Sequence, residues 1–265
     1  MLGKLYKHEL AALGRILLPV SLCLLGISAV SRIVGLLNLR FTYFQVMKFF
    51  VYAVSYIGMF GVCLLALIIV IDRFYKNMMT REGYLTFTLP FTATQHLFCK
   101  LICGVIAILF ALLVAFLSGV ILNVGKDLSN FFGAFFSSYG KLYREIGAHA
   151  AAYTVFLIAD IILGISCAIQ HFYTAMALGQ SFHKSKIGGA VLWYFIISLA
   201  LQLLGSLLLP LLYTVFPNGL SVFNDISVVG AVYLSFASVF VSEAVLNVAY
   251  FFITRSILTH RLNLE

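Results

Sequence analysis

Charge is scarce in this sequence: 17 Lys and Arg and 9 Asp and Glu among 265 residues, against 63% apolar residues and a mean hydropathy of +1.07. Charged residues normally make up about a quarter of a soluble chain, so this composition excludes a soluble globule with a polar surface. Several apolar spans of about 20 residues each account for it. The motifs of common enzyme chemistry are also missing. There is no G-x-x-x-x-G-K-[ST] phosphate cradle; Gly119 to Lys126 has the wrong spacing and is followed by Asp127, so no ATP phosphate is expected to bind here. No H-E-x-x-H and no G-x-S-x-G occur, and an enzyme is not expected. The five cysteines, Cys23, Cys63, Cys99, Cys103 and Cys167, fall in apolar spans or on the side read below as cytoplasmic, where disulfides rarely persist. Cys99 and Cys103 share a helix face, but no further ligands complete a zinc site, so no metal is expected. A cleavable leader is not expected either, because Lys4, Lys7, His8, Glu9 and Arg15 crowd the first fifteen residues and no small-residue cleavage site follows.

What is present reads as an all-α polytopic membrane protein, one transmembrane domain over residues 1–265. Residues 1–15 predict an amphipathic helix lying flat on the membrane, with Leu2, Leu5, Tyr6, Leu10 and Leu13 on one arc and Lys4, Lys7, His8 and Arg15 opposite. Glu9 falls inside the apolar arc, where it either meets a basic partner such as Arg73 or Lys100 or snorkels to the surface. Six spans follow at about 16–37, 46–71, 101–124, 150–170, 189–213 and 229–253. The second and third helices are expected to run past the bilayer, over 46–79 and 92–124, each about 50 Å long. Along the third, Cys103, Ala107, Ala111, Ala115 and Gly119 recur at every fourth position, a ridge of small side chains that lets another helix approach closely. Between 125 and 148, Phe131, Phe132, Phe135, Phe136, Tyr139, Leu142 and Tyr143 share one face of an external amphipathic helix on or in the outer leaflet.

The long polar interruption over 72–100 organises the rest. Its centre has a charged approach in Arg81 and Glu82, a turn residue in Gly83, then Tyr84, Leu85, Phe87 and Leu89 alternating with threonines up to Pro90. Thr92 and Gln95 form a T-x-x-Q capping box that starts the next helix. The order of acidic residue, Gly, Tyr-Leu-Thr, Leu-Pro, small polar helix start and Lys100 resembles the loop between the second and third spans of type-two ABC permeases, the membrane subunits of bacterial ABC exporters, and in particular the small six-span permeases of Gram-positive bacteria. The segment Leu178, Gly179, Gln180, Ser181, Phe182 with Lys184 and Lys186, a second cytoplasmic loop over 171–188, and the six-span plan belong to the same resemblance. It implies that the first loop docks on a separate ATPase subunit holding ATP and Mg, that this chain carries no cofactor, and that a second copy or a related permease completes the path. It says nothing about substrate.

Eleven Lys and Arg fall on the side of the 72–100 loop and six on the other, which places both termini in the cytoplasm of a cell-membrane protein. The sequence pI near 9.3 is then explained by anionic lipid at the inner leaflet and not by nucleic acid. Within the spans lie two acids, Asp160 and Glu243, with Asn247 one turn beyond the latter. Such residues either line a functional cavity or hold helices together by hydrogen bonds. Two functions follow: an exporter permease coupled to an ATPase through 72–100, or a self-sufficient carrier or channel in which Asp160 and Glu243 relay a proton or cation. An intramembrane enzyme is a distant third.

Overall fold

The structure, a computed structural model, describes residues 2–37, 41–80, 83, 92–147, 149–182, 185–215 and 228–260. Every regular element among them is a helix: α1 (Leu2–Leu36), α2 (Thr42–Met79), α3 (Ala93–Leu122), α4 (Lys126–Ile146), α5 (His149–Gly179), α6 (Lys186–Val215) and α7 (Val228–His260). All but α4 are long and apolar enough to cross a membrane, and the chain is an all-α, multi-pass membrane protein. The physical reason is that hydrocarbon offers no partner to a backbone N–H or C=O, so each spanning segment must satisfy its own by helix formation. Helix α4 is the expected amphipathic one, with Phe131, Phe135 and Phe136 exposed along its apolar face.

Two sequence expectations need correction. The stretch read as a separate surface helix is the first part of α1, which runs unbroken for 35 residues. A lone Gly14 costs a helix only about 1 kcal/mol, and Leu13 and Leu17 on either side of it are buried, which favours continuing. The second correction is at α5, which extends to Gly179 and not to about residue 170. The polar residues His171 and Thr174, read as the start of a loop, are helical because they find partners on neighbouring helices. By contrast, α2 ends at Met79 as expected, and α3 begins one residue after Thr92.

Packing divides the chain into two compact units, Met1–Arg73 with Phe98–Lys141, and Phe74–Leu97 with Leu142–Glu265. In the first, hydroxyls mark helix crossings: Ser28 of α1 meets Ser118 of α3, and Ser31 of α1 meets Ser55 of α2 at 2.6 Å. Ser28 and Ser31 also each donate to their own helix, to the Leu24 and Ile27 carbonyls. The small-residue ridge packs inside this unit. Cys103, Ala107 and Ala111 are buried, Ala115 and Gly119 half-buried, and a Cβ added at Gly119 would stand 3.8 Å from the Met59 Cε on α2. Gly125, at φ 119°, makes the turn from α3 to α4, a conformation L side chains rarely adopt, beneath the Arg32 guanidinium.

In the second unit α5 packs against both α6 and α7. The hairpin from α5 to α6 is closed by glycines: a Cβ at Gly179 would lie 2.5 Å from the Ala190 amide nitrogen, and one at Gly189 would lie 2.6 Å from the Phe182 ring. The ends of α2 and α3 that carry the polar loop belong to this unit as well.

Candidate functional site

The mount of the polar loop is built from large buried side chains. Phe74, Met78 and Met79 at the end of α2 and Leu97 at the start of α3 are buried, and the Phe74 ring stacks on Tyr173 of α5 at 3.7 Å between centroids. At the other stem the capping box forms: the Gln95 amide donates to Thr92 Oγ1 at 3.3 Å, and the Thr92 amide donates to Gln95 Oε1 at 3.1 Å. The Gly83 amide donates to the Thr80 carbonyl at 2.8 Å, a turn directly after α2. Arg81, Glu82, Tyr84, Leu85, Phe87, Leu89 and Pro90 lie outside the described residues. In the second loop, Gly179, Gln180, Phe182 and Lys186 are described and form the tight hairpin, while Lys184 is outside. Gly179 and Phe182 act there as packing residues.

In the first unit Glu9 has found both basic partners. Arg73 donates through Nε and Nη2 at 3.2 and 3.0 Å, and Lys100 donates through Nζ at 2.9 Å. The side chains retain 24% (Arg73), 7% (Lys100) and 13% (Glu9) of their exposure. An ion at such a place is tolerated only when paired, so this cluster joins α1, α2 and α3 at one point.

The two acids named from the sequence stand together in the second unit. Glu243 of α7 faces Gly164 of α5 so closely that a Cβ on the glycine would lie 3.0 Å from Glu243 Oε1. Asp160, one turn earlier on α5, is near enough for its charge to act on Glu243. Glu243 Oε2 and Asp160 Oδ1 are buried atoms without a hydrogen-bond partner, and among the described residues neither acid has an ion pair. Asn247 does something different. Its Oδ1 accepts from Ser166 Oγ and Gln170 Nε2, both at 2.7 Å, and its Nδ2 donates to the Leu163 and Glu243 carbonyls at 3.2 and 2.9 Å. Saturated in this way and only 8% exposed, Asn247 ties α5 to α7 and offers nothing to a ligand.

Glu243 opens onto a cavity of about 460 Å³ bounded by α5, α6 and α7, whose walls include Gly164, His171, Phe172, Tyr194, Ser198 and Tyr250. Phe172 and Tyr194 are stacked at 4.7 Å, and His171 stands edge-on to Tyr194 at 4.6 Å and to Tyr250 at 5.4 Å. Ser198 Oγ gives its one proton to the Tyr194 carbonyl at 2.8 Å, so it accepts from His171 Nε2 at 3.2 Å, while His171 Nδ1 shares a hydrogen bond with the Tyr250 hydroxyl at 2.9 Å in which either group can donate. Sequence reading did not single out His171, Tyr194, Ser198 or Tyr250. The signal was the spacing of Asp160, Gly164, Cys167 and His171 on α5 and of Glu243, Asn247 and Tyr250 on α7, which puts each set on one helix face.

No family model, no curated protein and no solved structure matches this chain.

Proposed function

We propose that this chain is the membrane subunit of an ATP-driven exporter, paired with a second copy or a related permease and coupled through residues 81–90 to a separate ATPase that binds ATP and Mg. The observation that carries this reading is the mount of the loop. A flexible connector between two spans needs no buried footing, whereas a lever needs one, and both stems are fixed by the Phe74–Tyr173 stack, by buried Met78, Met79 and Leu97, and by the Thr92–Gln95 box. Tyr84, Leu85, Phe87 and Leu89 would be the anchors, since apolar side chains on a short polar loop commonly mark an interface. Arg81 and Glu82 would form its polar rim. The excess of Lys and Arg on the loop side supports a cytoplasmic position for that side and for both termini in a cell-membrane exporter.

Purification from native membranes in a mild detergent tests the proposal. It expects a second chain carrying G-x-x-x-x-G-K-[ST] to co-elute in constant proportion and to hydrolyse ATP; a pure complex without any nucleotide-binding chain contradicts it. A carrier working alone is the second reading, supported by two acids, Asp160 and Glu243, on neighbouring span helices with buried oxygens that have no hydrogen-bond partner. That reading expects no ATPase chain in the same preparation.

A further inference from the structure

We propose that the cavity between α5, α6 and α7 binds an organic cation, with its charged centre against the Glu243 carboxylate and its apolar body against Tyr194 and Tyr250. As a statement about cargo this rests on the export reading and gives that cargo a charge class. Binding alone is measured without ATP or a partner, so it can fail while the export reading stands.

Four observations converge. The first is the acid itself: Glu243 Oε2 is a buried oxygen with no partner, and an uncompensated carboxylate in an apolar span is costly. An arriving cation would remove that cost. The second is that the one basic side chain among the described wall residues, His171, is hydrogen-bonded to Ser198 and Tyr250 and makes no ion pair with the Glu243 carboxyl. Third, the walls are aromatic. The faces of Tyr and Phe rings attract cations, most strongly where water is displaced, and Phe172, Tyr194 and Tyr250 line the same space as Glu243. Fourth, the volume of about 460 Å³ falls in the range of pockets that enclose drug-sized ligands.

A bare metal ion fits less well. Hard cations require a shell of about six oxygens, and the side chains of the described wall residues supply only the Glu243 carboxyl and the hydroxyls of Ser198, Tyr194 and Tyr250, of which Ser198 already donates to the Tyr194 carbonyl. Among the described residues no group of three or more His, Cys, Asp or Glu is arranged to hold a metal. Gly164 belongs to the site because it leaves room for the carboxyl; a larger residue there would push Glu243 off the wall.

The test uses the full chain in lipid nanodiscs and two fluorescent probes, ethidium, a planar aromatic cation, and Nile red, a neutral molecule of similar apolar character. Glu243→Gln should weaken ethidium binding at least tenfold and leave Nile red binding within twofold, and Glu243→Asp should recover part of the loss. The Glu243 side chain makes no hydrogen bond that holds the helices, so the variant is expected to fold, and unchanged Nile red binding checks this. Equal ethidium affinity in wild type and Glu243→Gln, or an equal loss of both probes, would overturn the proposal.

Discussion

At the scale of single residues, the ion cluster around Glu9 has the largest stability consequence. Two cations share one carboxylate, and the Lys100 side chain is only 7% exposed. Removing one partner of a buried pair costs about 3 to 5 kcal/mol, because the remaining charge is left buried alone. Glu9→Ala should therefore lower the thermal unfolding midpoint of the detergent-purified protein substantially, while Glu9→Leu combined with Lys100→Met, which removes the buried lysine charge as well, should restore part of it. Equal stability of Glu9→Ala and wild type would show that the cluster is solvated. Arg73 and Lys100 were legible in the sequence as candidate partners for an acid on an apolar helix arc, with snorkelling as the open alternative, and the structure shows the ion pairs. The polar walls of the cavity were not. His171, Ser198 and Tyr250 each look like ordinary span residues, and their grouping depends on how α5, α6 and α7 pack, which periodicity within one helix does not carry.

Among the elements, helix existence and span number were legible because a run of apolar residues long enough to cross hydrocarbon must be helical. Helix ends were harder where polar residues have partners on other helices. Gln170, His171 and Thr174 resemble a loop in composition, yet they sit inside α5, where Asn247, Tyr250, Thr254 and Ser198 hydrogen-bond to them. The true end of α5 is set by Gly179, where the hairpin to α6 brings two backbones together. A methyl group at that position meets the Ala190 backbone at 2.5 to 2.7 Å, which no rotamer change can relieve. Gly179→Ala is expected to destabilise the chain by about 1 to 3 kcal/mol, the usual cost of overpacking. Gly205→Ala on α6 meets nothing within 4 Å and should be neutral or slightly stabilising. Unfolding curves of the two variants in the same detergent check this, and equal midpoints would show that the hairpin has slack.

For the whole molecule, the features fit one mechanical account. The loop between α2 and α3 leaves from stems that are buried and cross-braced, the small-residue ridge of α3 packs inside the first unit, and the second unit holds a cavity with an acid that has no ion pair among the described residues. In the proposed exporter, an ATPase docked on the loop would move it, and the helices α2 and α3 that carry the loop would transmit that movement. The most direct measurement of this coupling is ATP hydrolysis and ATPase retention by the complex reconstituted in membranes, comparing wild type with Tyr84→Ala/Leu85→Ala. Truncated interface anchors cost about 2 kcal/mol or more each, roughly 30-fold in affinity. The account predicts that the double variant inserts normally but loses the ATPase on affinity capture, with its hydrolysis no longer tied to the permease. Wild-type retention and hydrolysis in that variant would contradict it and leave residues 81–90 as a plain connector.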